Sequence, residues 1–370
     1  MNTFQEKASE LLDRAGITIN GTHPFDIQVH NEELYQRIFA EGSLGLGEAY
    51  IDGWWDSEDL DGLFHRILSA GLDRQVRPLH ELGTVLKAIV LNHQNPNRAF
   101  TVGRHHYDIG DDLYRLMLDR RMIYSCAYWK NTRSLHKAQE NKLDLVFRKL
   151  GLREEMHVLD IGCGWGGALA FAAEKYGVSG LGVTVSENQA QMAAETCRNL
   201  PIEIRLQDYR EIEGTFDHIW SIGMVEHVGV KNFRTFMRVA RRCLKPGGLF
   251  LLHTIGGNRS VVRGDPWISR YIFPNSMIPS LRQLALACED LFVLEDLHNI
   301  GPHYTRTLKA WHQNVTRNRD YIIENYGKRF WRMWRYYLLS CAGAFKARKM
   351  NVWQIVLSRD GVPGGWETVR

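Results

Sequence analysis

At 370 residues and 42.7 kDa the chain exceeds one average domain. Its 44% hydrophobic and 24% charged residues are those of a globular protein with a sizeable core, which excludes collagen-like, coiled-coil and low-complexity chains. The net charge of +4 is unevenly divided: residues 1–105 hold 9 Lys/Arg against 15 Asp/Glu, so the remainder is strongly basic, and a second, larger module drawn to something anionic is expected.

In chain order, apolar residues recur at helical spacing over 4–12, 34–39, 60–68 and 79–91, with short extended pieces near 17–19 and 25–29. This predicts a small, mainly helical N-terminal domain over 1–91. The polar stretch 92–104, broken by Pro96 and Gly103, reads as a linker, and 105–370 as the second domain. In that domain short Val/Ile/Leu-rich runs at 157–160, 180–185, 202–207, 216–222 and 249–254 alternate with helical segments, among them 168–176, stopped by Gly177, and 187–200. The pattern predicts a Rossmann-like α/β fold with a mostly parallel sheet covered on both faces.

No apolar run reaches the roughly 18 to 20 residues of a membrane span, and the first twelve residues lack the apolar stretch of a secretory signal, so a cytoplasmic location is expected. The six cysteines lie more than thirty residues apart with no C-x-x-C pair. Neither a disulfide framework nor a metal site is expected.

Between the first strand and its helix stands Asp160-Ile161-Gly162-Cys163-Gly164-Trp165-Gly166-Gly167. Gly162, Gly164 and Gly167 satisfy the dinucleotide fingerprint, a weak signal alone. Asp160 just before the first glycine suits an amino acid ammonium better than a pyrophosphate, which like charge repels. Together with the turn Leu244-Lys245-Pro246-Gly247-Gly248, which resembles the turn before the fifth strand of S-adenosylmethionine-dependent methyltransferases, it favours S-adenosylmethionine over a nicotinamide cofactor. The second strand ends without the usual ribose-binding acid; Thr184, Ser186 and Gln189 offer neutral hydrogen bonds, although Ser186 equally suits a helix N-cap. After the third strand, Asp208 is positioned to accept from the adenine amino group and Tyr209 to stack on the ring.

The runs Tyr124-Ser125-Cys126-Ala127-Tyr128-Trp129, Val183-Thr184-Val185-Ser186, Gly223-Met224-Val225-Glu226-His227-Val228-Gly229, His253-Thr254-Ile255-Gly256 and His303-Tyr304-Thr305-Arg306-Thr307-Leu308 together resemble the cyclopropane-fatty-acyl-phospholipid synthases. The missing ribose acid belongs to that family's pattern, and the likeness runs over nearly the whole chain. It implies transfer of a methylene group from S-adenosylmethionine across the cis double bond of a phospholipid acyl chain. It further implies a bound bicarbonate as base, held by Cys126, Glu226, His253, Tyr304 and the backbone of Ile255, with Tyr124 and Ser125 among the donor-binding residues. Tyr304, Tyr128 and Trp129 would face developing positive charge with their rings. By the same resemblance the N-terminal domain contacts phospholipid and supports a homodimer, peripherally attached to the inner face of the cell membrane.

Three readings compete. A related methyltransferase would give methyl-branched or methylene acyl products, or methylate a small amine; a lipid-binding module would keep the donor fold as a relict. The aromatic-basic stretch 328–337 suits an anionic membrane surface, or else a core helix with solvated arginines. A nucleic-acid partner is not expected, since no recognised motif accompanies it.

Overall fold

The computed structural model describes residues 3–76 and 110–370. The linker at 92–104 and the helix at 79–91 lie outside the described residues. The chain forms two compact units: one gathers the described residues of Met1–Leu91 with Arg263–Pro274 and Tyr304–Met350, the other those of Asn92–Val262 with Asn275–His303 and Asn351–Arg370. The division is therefore not a single cut in sequence.

In the first unit, helices α1 (Thr3–Asp13), α2 (Glu33–Glu41), α3 (Ser43–Ile51) and α4 (Leu60–Ser69), with the strand pair β1 (Gln28–Val29) and β2 (Trp55–Asp56), come from the N-terminal segment. The longest helix among the described residues of the unit, α14 (Lys328–Lys346), packs on α3 and α4. Trp334, Tyr336, Tyr337 and Leu338 on it are buried. Arg332 and Arg335 on it also turn inward. Arg332 lies 4.2 Å from the Tyr50 ring centroid and donates to the Tyr50 and Trp55 carbonyls at 2.6 and 3.0 Å, while Arg335 reaches the Tyr50 hydroxyl and the Ser57 carbonyl. Of the two readings of this stretch the core helix is the one observed, with Arg332 and Arg335 bonded to groups of α3, β2 and the residues just after it. Because Gly343 abuts Phe64 so closely that an added Cβ would lie 2.6 Å from it, removing Met1–Leu91 would strip α14 of its packing.

The second unit is built on a seven-stranded sheet. Its strands are β3 (His157–Ile161), β4 (Ser179–Thr184), β5 (Ile202–Leu206), β6 (Phe216–Ile222), β7 (Leu244–Gly257), β8 (Val293–Asn299) and β9 (Met350–Ser358), in the order β5-β4-β3-β6-β7-β9-β8. The pairs among β3 to β7 are parallel, and β8 with β9 is antiparallel. The last two strands were not predicted. On β7 the Lys245-Pro246-Gly247-Gly248 turn is an irregularity inside the strand: Phe216 pairs with Leu244 but His218 with Leu249.

Side-chain alternation sorts the core into two layers. Leu159, Ile161, Phe250 and Leu252 enter one cluster with Phe236 and Met237; Val158, Trp220, Leu249 and Leu251 enter the other with Val146 and Phe147. Asp160, Trp220 and Leu251 stand in register across the sheet on this second face, against which α6 (Leu135–Leu150) packs. The strand order reverses beside β3, so the crevice at the carboxyl ends of β3 and β6 is where a ligand of such a sheet binds.

Candidate active site

The glycine loop sits at that reversal. Gly162 has φ +89°, and its N–H and that of Cys163 both donate to the Val183 carbonyl at 3.0 Å, closing the turn. A Cβ at Gly164 would meet nothing within 4 Å, so the loop is open there. Gly167, the first residue of α7 (Gly167–Tyr176), is a packing glycine: a Cβ would lie 1.9 Å from the Arg121 carbonyl oxygen. Gly167→Ala should therefore displace the 119–123 segment and cost about 1–3 kcal/mol of unfolding free energy, readable as a lowered urea midpoint. An unchanged midpoint would show that the segment gives way freely.

Asp160 is 2% exposed, and its Oδ1 is buried with no hydrogen-bond partner. Burial pushes its carboxyl up to about 7, against the pull of the Trp220 indole and then of the Lys142 charge. A carboxylate so poorly satisfied is suited to a cationic group of a ligand.

At the end of β4 the three hydroxyl and amide groups bond mainly to one another. Thr184 Oγ1 donates to Gln189 Oε1 at 2.9 Å, and Ser186 Oγ accepts from the Gln189 N–H at 3.3 Å as the N-cap of α8 (Glu187–Thr196). Of the two roles open to Ser186 the cap is the one observed. Asp208 Oδ1 accepts from the Arg210 N–H at 2.9 Å, leaving a buried Oδ2 without a partner. Tyr209 opens the short 3-10 turn after β5 and is buried, edge-on to Phe236 with centroids 5.4 Å apart.

Glu226 follows β6 in a short 3-10 turn and is buried. Its Oε1 accepts from the Ile255 N–H at 2.7 Å, and its Oε2 is buried with no hydrogen-bond partner. Burial raises its pKa, opposed by that N–H. The Ile255 N–H is thus committed to Glu226 rather than presented to a ligand. His253, two residues earlier on β7, is 2% exposed; its Nδ1 lies 3.5 Å from Gln354 Nε2, and burial together with the Lys142 and Lys149 charges keeps it neutral well below its ordinary pKa. Cys126 is 1% exposed, its Sγ 3.9 Å from the Ile300 carbonyl oxygen. Beside it Ser125 Oγ accepts from Lys142 Nζ at 3.0 Å. Tyr124 is half-buried and edge-on to Tyr114, with centroids 5.3 Å apart. Tyr304 is described with the first unit, where it opens α12 (Tyr304–Arg317); its ring is 4.6 Å from Phe345 and 5.9 Å from Trp311, centroid to centroid.

Sequence reading passed over α6, although it carries a polar stripe of Gln139 and Lys142 at 0% exposure and Lys149 at 1%. The signal was there: Ala138, Lys142, Leu145 and Lys149 follow the four-three spacing of a buried helical face, with lysines where apolar residues belong. Gln139 Nε2 donates to the Ser125 and Ile123 carbonyls at 2.8 and 3.3 Å, clamping the segment that leads to Cys126.

The family model described as mycolic acid cyclopropane synthetase matches residues 94–355. The chain belongs to that family. Among curated relatives, the cyclopropane-fatty-acyl-phospholipid synthase of Escherichia coli strain K12 is 50% identical over 365 residues, covering 98% of this chain and 95% of that protein. Among solved structures, the cyclopropane synthase MmaA2 from Mycobacterium tuberculosis is 31% identical with a TM-score of 0.66, covering 70% of this chain and 98% of that one. The mycolic acid cyclopropane synthase CmaA1, solved as a complex with SAH and CTAB, is 32% identical with the same TM-score and coverage. The sheet unit of this cyclopropane synthetase family member is thus the Rossmann-like class I methyltransferase fold expected from its strand pattern.

Proposed function

We propose that the protein transfers a methylene group from S-adenosylmethionine to the cis double bond of acyl chains in membrane phospholipids, forming cyclopropane fatty acids. The 50% identity to the Escherichia coli synthase along nearly the full length of both chains supports the substrate class. The observation that carries the chemistry is the Glu226 carboxyl, buried, raised in pKa and bonded through one oxygen only.

An unactivated alkene is a weak nucleophile, so the reaction needs the double bond held in line with the sulfonium methyl and water kept out. When the alkene carbon takes the methyl group, the other carbon is left electron-poor. Loss of one proton from the new methyl lets its C–H electron pair close the three-membered ring, with S-adenosylhomocysteine and that proton as by-products. A bicarbonate bound beside Glu226 would supply the base for that proton. The residues fit such an anion: burial raises the Glu226 pKa and leaves its Oε2 without a partner, where a proton shared with the anion would be held, and His253 adds a further polar contact. The sequence resemblance adds Cys126 and Tyr304 to the set. For the donor, Asp160 would take the amino acid ammonium and Asp208 Oδ2 the adenine amino group. Homodimer formation and attachment to the inner face of the membrane are part of the same proposal; no helix among the described residues is long and apolar enough to cross a membrane.

Vesicles of unsaturated phosphatidylethanolamine, incubated with the protein and S-adenosylmethionine, should yield acyl chains heavier by one CH2 and resistant to hydrogenation under conditions that saturate alkenes. A hydrogenation-sensitive methylene product or a methyl branch would assign the protein to the other acyl-modifying chemistry. No donor consumption would reject the reading altogether.

A further inference from the structure

We infer that His303 is a positioning residue for the reaction: its Nδ1 accepts from the Trp129 N–H and so clamps the irregular segment on which Cys126 and Tyr128 sit. The inference rests on the proposal that this segment lines the place where the cyclopropane forms.

Residues 122–129 form neither helix nor strand. Yet Cys126, Ala127, Tyr128 and Trp129 are all buried, so their backbone groups depend on partners from elsewhere in the fold. One set of partners comes from α6: the Tyr128 N–H donates to the Ala138 carbonyl at 2.9 Å, and Gln139 holds the Ser125 and Ile123 carbonyls. The other set comes from Ile300 and the 3-10 turn Gly301–His303 that follows it. There the Trp129 N–H donates to His303 Nδ1 at 3.2 Å, and the Cys126 Sγ lies 3.9 Å from the Ile300 carbonyl oxygen. The His303 imidazole also meets the Tyr128 ring edge-on, with centroids 4.8 Å apart.

The turn is itself anchored on β9. The Ile300 N–H donates to the Val352 carbonyl at 2.8 Å, the His303 N–H to the Ile300 carbonyl at 3.0 Å, and a Cβ on Gly301 would come within 2.9 Å of the Val352 nitrogen. A side chain fixed in this way can hold a segment that has no ladder of its own. The chemistry of the bond is one-sided. A backbone N–H can only donate, so Nδ1 is the acceptor and the imidazole carries its proton on Nε2. With a proton on Nδ1, two N–H groups would face each other and the clamp would open. What residue 303 must supply is therefore an acceptor, delivered to a backbone N–H three residues after Cys126. His303 acts through Trp129.

The test compares His303→Leu with His303→Asn in the full chain. Leucine keeps apolar bulk without the acceptor; asparagine keeps the acceptor without the imidazole, its Oδ1 being as many bonds from Cα as Nδ1. On unsaturated phospholipid vesicles the kcat for cyclopropane formation is expected to fall roughly tenfold with leucine and to recover to within about threefold with asparagine. The affinity for S-adenosylhomocysteine, measured by isothermal titration calorimetry, should stay within about threefold in both, because Gln139 still holds the Ser125 and Ile123 carbonyls. Full turnover with leucine, asparagine no better than leucine, or turnover and affinity falling together overturns the inference, the last result marking a merely structural histidine. If neither variant folds, the nitrogen NMR shifts of the His303 imidazole in the unaltered protein decide at pH about 8, where an ordinary imidazole is neutral. An unprotonated Nδ1 supports the clamp and a proton on Nδ1 overturns it. No cyclopropane formation by the unaltered protein would instead reject the proposed reaction, and the inference with it.

Discussion

Glu226→Gln is expected to lower turnover on unsaturated phospholipid vesicles by at least about a hundredfold while S-adenosylhomocysteine binding stays within about threefold. The amide keeps an oxygen to accept from the Ile255 N–H, which is 2.7 Å from Oε1, so the β6–β7 end is not unpicked. What the amide cannot do is release or take up a proton at the second oxygen, the atom that has no partner in the structure. Because the glutamine variant preserves the local bond, a fall in activity reports on the proton rather than on packing. Glu226→Ala should lose as much turnover and some stability besides. Ring formation at the normal rate in either variant would remove Glu226 from the chemistry and with it the anion site.

Asp296→Ala should cost the second unit about 3–5 kcal/mol. Lys149, with a side chain at 0% exposure, is 3.1 Å from Asp296 Oδ2, and Arg370 closes on both oxygens of the same carboxylate at 2.7 and 2.6 Å. Truncating the carboxylate leaves a desolvated ammonium with no opposite charge. Burial already lowers Lys149 to about 8 against the attraction of Asp296, and removal of Asp296 lowers it further. The sign of the pH effect follows. Where the folded pKa lies below the unfolded one, the unfolded chain binds the proton that the folded chain has lost, so stability rises with pH between the two values. The defect should therefore be largest near neutrality and shrink above pH about 8 as the buried amine loses its proton. For Asp296 itself, burial acts upward but Arg370 and Lys149 outweigh it and hold the carboxyl low, so its own contribution is present at neutral pH and disappears as acid protonates it. Urea midpoints at pH 7 and 9 measure both effects, and Lys149→Met with Asp296→Leu should recover most of the loss. A single variant as stable as the unaltered protein would show the charge finding another route to solvent.

Much of the catalytic sheet was legible from the chain, because its signals are local. The strand Phe216–Ile222 has the bounds its apolar run predicted, and Gly177 ends its helix with φ +66°, a conformation chosen by the residue itself. The glycine loop needs only its own backbone to turn. β8 and β9 escaped notice since neither makes sense alone: Val293–Asn299 is half polar, and it becomes a strand by pairing with Met350–Ser358, more than fifty residues on.

By itself the sequence determined the α/β fold, the donor loop and, through its spaced motifs, the family. Only the folded chain decided which polar groups were already taken. Arg335 could face a membrane or a core until Tyr50 and Ser57 met it from some 280 residues away, and Ser186 could cap a helix or not until the Gln189 N–H reached its oxygen. Conversely, two oxygens in the interior, on Asp160 and Glu226, acquired their meaning from being left without a partner. The physical reason is common to all of these: a side chain's chemistry is set by its type, but its availability depends on long-range neighbours and on the water they exclude.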